Sequence, residues 1–108
     1  MDKYTELLQY SDPVIVMNNA KKYLGNDVSL YISTRPTKKY MIQNPDGKWI
    51  HFGQMGYSDN TRTLNDKDRR RRYLARATNI KGNWKADKYS PNNLSLKILW
   101  DWNGKNTI

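Results

Sequence analysis

Apolar residues recur at a helical spacing between residues 13 and 24. Ser11-Asp12-Pro13 precedes this stretch, and a serine or aspartate cap followed by proline is a typical helix start. Gly25-Asn26 follows it, and both residues tolerate the left-handed conformation in which many helices end. The pattern therefore predicts a helix over residues 13–24.

The next stretch alternates between apolar and polar positions, and this period of two predicts β-strands. The alternation falls into three segments, residues 28–33, 39–43 and 48–53. Asn44-Pro45-Asp46-Gly47, between the last two, combines residues that favour successive positions of a tight turn. We therefore expect a three-stranded antiparallel meander over residues 27–53.

The alternation assigns the strand residues to two faces of this sheet. The predicted inner face carries Val28, Leu30, Ile32, Tyr40, Ile42, Ile50 and Phe52. The predicted outer face carries Tyr31, Met41, Trp49 and His51, flanked by Arg35, Lys38 and Lys39. Rings beside cations on an exposed face are typical of a platform on which nucleic-acid bases stack. The alternatives are that a helix covers this face or that the rings only shield the backbone.

The longest run of basic residues begins a second predicted helix. Asp66 is a suitable N-cap, Asp68 places negative charge in the first turn, and Gly82 ends the pattern. At about 100° per residue, the apolar residues fall on one side of this helix: Tyr73, Leu74, Ala77 and Ile80.

Four consecutive arginines in this helix point in different directions. Arg71 lies opposite the apolar side, and Arg72 lies on one flank together with Arg76. Arg69 lies at the edge of the apolar side. Arg70 falls within it, which predicts a structural arginine that snorkels or pairs with a carboxylate.

The last apolar stretch fits either a helix or a strand. Its even-numbered residues alternate as in a strand: Leu94, Leu96, Ile98, Trp100 and Trp102. Ser90-Pro91, however, repeats the helix-start signal of the first helix. We therefore predict a helix over residues 91–101.

Together these elements predict an α+β fold in a single domain of residues 1–108: an N-terminal helix, a three-stranded antiparallel meander and two C-terminal helices. Residues 1–11 and 103–108 are candidate flexible ends. The alternative for the first end is a helical turn that docks on the core through its apolar residues, Tyr4, Leu7 and Leu8.

The charge of the chain indicates a polyanionic partner. Lysine and arginine outnumber aspartate and glutamate by 19 to 10, so the formal net charge is +9. Residues 62–88 alone hold ten basic and three acidic residues, a net charge of +7. Such a concentration favours nucleic acid, the commonest polyanionic partner. The alternatives are an acidic protein partner and a surface charged only for solubility.

Candidate chemistry for catalysis is sparse. The chain has no cysteine and a single histidine, His51, which excludes a thiolate metal site and a disulfide framework. No phosphate-binding glycine loop or nucleophile-elbow motif occurs. We therefore predict that the protein is not an enzyme and has no catalytic residue, cofactor or metal site. A small nuclease is the weakest alternative, because it requires acidic side chains such as Glu6, Asp59 or Asp101 to lie close together in the fold.

Neither a signal peptide nor a membrane span is indicated. The first ten residues include two acids and no apolar run of signal length. No segment approaches the roughly 20 apolar residues that cross a bilayer. We expect a protein that is not secreted.

The favoured function is non-catalytic, sequence-tolerant binding of nucleic acid, with double-stranded DNA as the leading candidate. The predicted phosphate-binding residues are Arg71, Arg72, Arg76, Lys81, Lys85 and Lys88. The candidate stacking rings are Trp49, His51 and Trp84. For Trp84 we favour the alternative role of an anchor that pins its loop.

Three sequence blocks stand in a fixed order between Lys39 and Trp100: YMIQNPDGKWIHFGQMGYSDNT, RRRRYLARATNIKGNWK and KYSPNNLSLKILW. In this order they resemble a family of small, basic, functionally uncharacterised proteins encoded by large double-stranded DNA viruses of eukaryotes, the nucleocytoplasmic group. The resemblance implies a viral origin, and a location in the virion or in a viral factory of the host cytoplasm or nucleus. It supplies no activity and no catalytic residue. In this setting the alternative function is that of a minor capsid or scaffold protein, whose basic face binds acidic surfaces of viral coat or core proteins.

Overall fold

The computed structural model describes residues 2–64 and 66–104. Its elements, in chain order, are α1 (Lys3–Leu8), α2 (Pro13–Leu24), β1 (Leu30–Ile32), β2 (Lys38–Gln43), β3 (Trp49–Gln54), α3 (Lys67–Ala77), a 3₁₀ turn (Trp84–Ala86) and α4 (Pro91–Leu94). α4 continues directly into a π-helical segment, Ser95–Leu99. The predicted α+β fold, with a three-stranded antiparallel sheet, is confirmed.

α2 begins and ends where its capping residues predict. The Asp12 side chain accepts a hydrogen bond from the Val14 N–H at 3.0 Å, and Pro13 occupies the first turn. Gly25 ends the helix with a φ of +108°, which glycine adopts without the steric cost that a side chain brings. The predicted helix over residues 13–24 is confirmed.

The sheet is the predicted meander, in the order β1-β2-β3. Its register pairs Ile42 with Leu30 on one side and with Ile50 on the other. β1 is shorter than the predicted segment 28–33, because the Val28 N–H bonds back to the carbonyl of the residue that caps α2.

The two faces of the sheet carry the residues that the alternation predicts. Tyr40, Ile42 and Phe52 are buried in the core. Tyr31, on the opposite face, is 58% exposed. The alternative of a helix that covers the outer face is therefore wrong at Tyr31.

Lys39 is the exception to the predicted outer face. The sequence predicts an exposed cation at this position, but the side chain is only 2% exposed. Its ammonium group bonds to the Asp59 carboxylate at 3.0 Å and to the Tyr57 carbonyl at 2.7 Å. Lys39 is thus drawn from the surface by a partner 20 residues downstream, which no local period can reveal.

Gly53 lets the C-terminal segment, residues 95–104, approach the sheet closely. Its φ is +82°, and a Cβ atom at this position would lie 2.8 Å from Leu99 Cδ1 and 3.2 Å from Lys39 Cβ. Only glycine combines this backbone conformation with so small a space. The end of the π-helical segment is thereby brought next to the buried Lys39.

The N-terminal end forms α1 and docks on the core. Asp2 caps this helix by accepting a hydrogen bond from the Thr5 N–H at 2.8 Å. Leu7 is fully buried, whereas Tyr4 and Leu8 are exposed, so only one of the three predicted contacts is made. At the other end of the chain, residues 105–108 lie outside the described residues.

The last apolar stretch is helical, as its start signal predicts, although it ends two residues before the predicted end. Ser90 Oγ accepts a hydrogen bond from the Asn93 N–H at 3.2 Å. The Asn93 side chain donates to the carbonyls of Trp84 and Asp87, both at 2.9 Å. The segment is buried on nearly every side, through Leu94, Leu96, Ile98, Leu99 and Trp100.

Candidate nucleic-acid interface

α3 begins at its predicted cap. Asp66 Oδ1 accepts a hydrogen bond from the Arg69 backbone N–H at 2.9 Å. Asp68 lies in the first turn, where its charge complements the positive end of the helix dipole. Leu74 and Ala77 are buried, and their position orients the arginines around the helix.

The end of α3 comes earlier than the apolar spacing predicts. Thr78 Oγ1 donates to the Leu74 carbonyl at 2.6 Å, and the Asn79 amide donates to a carbonyl four residues before it at 2.7 Å. Such side chains compete for helical backbone groups and favour helix ends. The helix therefore stops before Gly82, and Ile80, predicted on the apolar side, is 51% exposed.

Two of the four consecutive arginines hold the fold together. Arg70 donates to the Trp100 carbonyl at 3.0 Å and to the Asp101 carbonyl at 2.8 Å. It is the structural arginine that its position predicts, with backbone carbonyls as partners in place of a carboxylate. Arg69 donates from Nε and Nη2 to the Ser58 carbonyl, at 3.2 and 3.1 Å. These bonds tie α3 to the C-terminal segment and to the loop that follows β3.

Arg71 is paired on its own helix. Its Nη2 atom lies 2.8 Å from Asp68 Oδ1, and both side chains are exposed to solvent. Exposed ion pairs contribute at most about 1 kcal/mol to stability. Exchange of the Asp68 carboxylate for another anion therefore costs little, and the phosphate-binding role of Arg71 stays a prediction.

Arg72 and Arg76 lie on one wall of a cavity of about 530 Å³ between α3 and the loop that follows β3. We call this cavity the arginine cleft, and its main lining residues are Lys39, Tyr57, Asp59, Arg69, Arg72, Tyr73, Arg76 and Trp100. Across residues 2–64 and 66–104, neither Arg72 nor Arg76 makes an ion pair with a carboxylate. The cleft thus presents two guanidinium groups that no side-chain carboxylate in the described part of the chain neutralises.

An aromatic stack supports this wall. The Tyr73 and Trp100 ring centroids lie 4.1 Å apart, with an angle of 8° between the ring planes. The central guanidinium carbon of Arg76 lies 5.6 Å from the Tyr73 ring centroid, within the range of a cation–π contact. Because Arg70 holds the backbone of Trp100, the stack fixes the base from which Arg76 extends.

The floor of the cleft is a buried ion pair. Lys39 Nζ and Asp59 Oδ2 lie 3.0 Å apart, and the side chains are 2% and 1% exposed. Burial lowers the pKa of Lys39, and the Asp59 carboxylate opposes that shift. Asp59 Oδ1 also accepts a hydrogen bond from the Thr61 N–H at 3.0 Å. The pair fixes the loop after β3 and sets one positive charge against one negative charge at the floor.

Buried hydroxyl groups extend this network into the core. Tyr40 donates to Ser11 Oγ at 2.7 Å, and Ser11 Oγ lies 3.3 Å from Thr61 Oγ1. Burial raises the pKa of Tyr40 above its usual value of 10.0. Burial likewise raises the pKa of Tyr73 in the arginine cleft.

These tyrosines make the protein sensitive to alkali. Above pH 10.0 tyrosines of the unfolded chain ionise, whereas folded Tyr40 and Tyr73 keep their protons, so that unfolding releases protons. Each tyrosine that stays protonated lowers the free energy of unfolding by about 1.4 kcal/mol per pH unit in this window. Lys39 acts in the opposite sense between its lowered pKa and 10.5, because there the unfolded chain holds the extra proton. We therefore expect stability to fall once the pH exceeds about 10.5.

Urea unfolding followed by tryptophan fluorescence between neutral pH and about pH 11 measures this dependence. The Tyr40→Phe variant should show a shallower decline, because phenylalanine has no proton to release. A free energy of unfolding that stays constant over this range would contradict the role of Tyr40 and Tyr73 in alkaline destabilisation.

Three lysines gather at a second place, between the end of α2 and the C-terminal segment. Lys88 Nζ and Lys97 Nζ each lie 5.4 Å from the Tyr23 ring centroid. Lys97 Nζ also lies 5.2 Å from the Trp102 ring centroid. Together with Lys85 these side chains line a cavity of about 250 Å³, which we call the lysine pocket.

The structure divides the predicted phosphate-binding residues among three places. Two line the arginine cleft: Arg72 and Arg76. Two line the lysine pocket: Lys85 and Lys88. Two are exposed and line neither cavity: Arg71 and Lys81. Three further cations of these cavities were not among the predicted phosphate-binding residues: Lys39, Arg69 and Lys97.

Two of the candidate stacking rings lie on the sheet. Trp49 makes an edge-on contact with Tyr31, with ring centroids 5.7 Å apart, and these rings border a shallow groove of about 330 Å³. His51 is half-buried, and its Nδ1 atom lies 2.6 Å from Ser33 Oγ. Partial burial and the nearby charge of Arg35 lower the pKa of His51. His51 is therefore an uncharged, hydrogen-bonded ring at neutral pH.

Trp84, the third candidate ring, is half-buried, and both its indole N–H and its backbone carbonyl are hydrogen-bonded. Its Nε1–H donates to the Ile80 carbonyl at 2.7 Å, and its carbonyl accepts bonds from Ser90 Oγ at 2.8 Å and from the Asn93 amide. These contacts are those expected of an anchor for the basic loop. Base stacking on Trp84 stays a prediction.

Metal-ligand clusters and membrane-spanning helices are absent from residues 2–64 and 66–104. No three histidine, aspartate or glutamate side chains of residues 2–64 and 66–104 are grouped as metal ligands. Within the same ranges no helix is long and apolar enough to cross a membrane. Asp59, one of the acids that the nuclease alternative requires, is held by Lys39.

The fold and the site define a small α+β protein with a cationic cleft. Residues 28–77 match the profile of a family of unknown function (DUF5754). The matched region includes the sheet and α3, and with them the buried ion pair and the cleft arginines. No curated protein and no solved structure matches the chain. The family description states neither an activity nor a source, so the viral origin stays a prediction.

Proposed function

We propose that the protein binds nucleic acid without sequence preference, through the arginine cleft and the basic loop that follows α3. The observation that carries this proposal is the pair Arg72 and Arg76, whose guanidinium groups face a cavity and meet no carboxylate among the described residues. Guanidinium groups bind phosphate through two parallel hydrogen bonds, and they keep their charge at any physiological pH.

Four further exposed cations complete the proposed phosphate-binding set. Arg71 is exposed on α3 outside the cleft, and Lys81, Lys85 and Lys88 are exposed in the chain that follows α3. Contacts to phosphate supply affinity and orientation but carry no sequence information. Sequence-tolerant binding is the mode that such a set of contacts supports.

We place this function in a large DNA virus, on the strength of the sequence blocks that resemble such viral proteins. Double-stranded viral DNA is then the proposed ligand, in the virion or in the viral factory. Duplex DNA carries one negative charge per about 1.7 Å of its axis, so a small protein with a net charge of +9 has many equivalent places to bind.

A minor capsid or scaffold role is the second candidate. The groove beside Tyr31 and Trp49 favours it, because exposed rings on a sheet face are frequent anchors of protein interfaces. Self-association, or assembly with an acidic viral coat protein in the absence of nucleic acid, would support this role over DNA binding.

Alanine at Arg71, Arg72 and Arg76 together is expected to weaken DNA binding more than tenfold at about 0.1 M salt. The slope of log affinity against log salt should become shallower by about 2 to 3, because about one counterion is released per phosphate contact. The measurement is fluorescence anisotropy of a labelled random duplex with purified, nuclease-treated protein.

The matched control removes the same charge elsewhere, by alanine at the exposed residues Lys21, Lys22 and Lys48. Its affinity and salt slope should stay close to those of the unaltered protein. Equal losses in the two triple variants would mean that net charge alone causes binding, and would defeat the assignment to α3.

A further inference from the structure

We propose that the arginine cleft accepts a single unpaired nucleotide, with the phosphate on Arg72 and Arg76 and the base against Tyr57. This inference rests on the proposed nucleic-acid binding and specifies its substrate class. It predicts a preference for single-stranded ends, gaps or overhangs over an uninterrupted duplex.

The shape of the site is the first argument. The arginine cleft is a concavity of about 530 Å³. This volume lies within the range of about 300–1,000 Å³ that is typical of sites for small ligands. A base held in a stacked pair cannot enter such a cavity, but an unpaired nucleotide can be turned into it.

The position of the charges is the second argument. Arg69 is occupied by its two bonds to the Ser58 carbonyl, so Arg72 and Arg76 are the cleft arginines left for a ligand phosphate. Asp59 also lines the cleft, but its carboxylate is paired with Lys39 at 3.0 Å. An anionic ligand therefore meets a net positive wall above a floor whose charges cancel.

The available ring is the third argument. Tyr73 is already stacked on Trp100 and carries Arg76 over its ring. Tyr57 is 66% exposed and lines the same cleft. Its backbone is fixed, because its carbonyl accepts a bond from the buried Lys39 ammonium group at 2.7 Å. An exposed ring on a fixed backbone, in one cleft with two guanidinium groups that no described carboxylate pairs, is the combination that binds one base and its phosphate.

Competition binding tests this inference. A labelled duplex closed at both ends by non-nucleotide linkers is compared with the same duplex opened at one end to a three-nucleotide overhang. We expect the overhang to bind about tenfold more tightly, because stacking of one base on an aromatic side chain is worth about that factor. Deoxythymidine monophosphate should compete at concentrations at which thymidine and inorganic phosphate do not, because only the nucleotide uses both the ring and the arginines.

Tyr57→Ala should abolish the preference for the overhang, so that the overhang duplex and the closed duplex bind with equal affinity. Tyr57→Trp should retain the preference. The control is Tyr31→Ala, which removes a similarly exposed ring from the sheet and should preserve it.

The outcomes separate this inference from the proposed function. Equal binding of the two duplexes, without competition by the mononucleotide, would overturn the nucleotide site while sequence-tolerant DNA binding stands. Competition by inorganic phosphate as strong as that by the mononucleotide would also overturn it, since the ring would then contribute nothing. Mononucleotide binding without affinity for either duplex would overturn the proposed function together with the predicted overhang preference, while the cleft would still be a nucleotide site. No binding of any probe would overturn both proposals.

Discussion

Replacement of Lys39 by methionine is expected to lower the free energy of unfolding by about 3–5 kcal/mol. The Asp59 carboxylate would then stay buried with hydrogen bonds from Thr61 but without its cation. An unpaired buried charge is among the most destabilising changes that a single substitution makes. Because small domains have a total stability of about 5–15 kcal/mol, the urea midpoint at neutral pH should fall sharply.

The other ion pair in the described residues supplies the control. Arg71→Ala breaks the exposed pair with Asp68 and should cost less than about 1 kcal/mol. Lys39→Met combined with Asp59→Leu removes both buried charges and should recover part of the loss. If Lys39→Met were as stable as Arg71→Ala, the buried pair could not be what fixes the loop of the arginine cleft.

Trp100→Ala is expected to have the second large effect, a loss of about 3–5 kcal/mol. The indole is buried, stacks on Tyr73 at 4.1 Å and lies in the segment that Arg70 holds by two hydrogen bonds. Its removal leaves a cavity under the wall of the arginine cleft. The variant should therefore also bind DNA more weakly under conditions in which it remains folded, because Arg76 loses its support.

Graded substitutions separate the effect of packing between Trp100 and Tyr73 from a general sensitivity of the cleft to mutation. Trp100→Phe keeps a ring against Tyr73 and should lose less stability than the alanine variant, as judged from urea unfolding curves. Tyr57→Ala, at an exposed ring of the same cleft, should be close to neutral for stability. A Trp100→Ala variant that unfolds at the urea concentration of Tyr57→Ala would show that the stack does not support the cleft.

Local patterns predicted the framework of this fold because local signals determine it. The caps at Asp12, Asp66 and Ser90 each accept the hydrogen bond expected of them. The period of two placed Tyr40 and Phe52 in the core, since a half-buried sheet forces its side chains to alternate. The competition between helix and strand in the last apolar stretch was decided correctly by its cap.

One error falls where a distant partner overrides the local pattern, and the other falls where a local signal opposes the apolar spacing. Lys39 occupies an outward position in the alternation, but Asp59 draws it inward from a loop that has no period of its own. The spacing of Ile80 and the stop signal at Gly82 predict a longer α3 than the structure has. The adjacent pair Thr78 and Asn79, whose side chains bond back to helical carbonyls, was the signal that could have corrected its end.

The sequence predicts only the part of the candidate site that lies on α3. A helical wheel separates Arg70 from Arg72 and Arg76, and the structure places these side chains accordingly. The cleft itself could not be predicted, because its opposite wall comes from the loop after β3 and its support from Trp100. The π-helical turn that carries Lys97 to the lysine pocket has no sequence signature in a stretch that is apolar on nearly every side.

The most direct test of the central claim is the affinity of the purified, nuclease-treated protein for a random duplex and a random single strand across a salt series. We predict micromolar or tighter binding at low salt, with log affinity falling linearly against log salt. The duplex slope should be at least about 2 in magnitude, because at least two of the six proposed cations, which include Arg71, Arg72 and Arg76, should each contact a separate phosphate. No binding at low salt, or an affinity that does not change with salt, would contradict the proposal that these arginines bind nucleic acid.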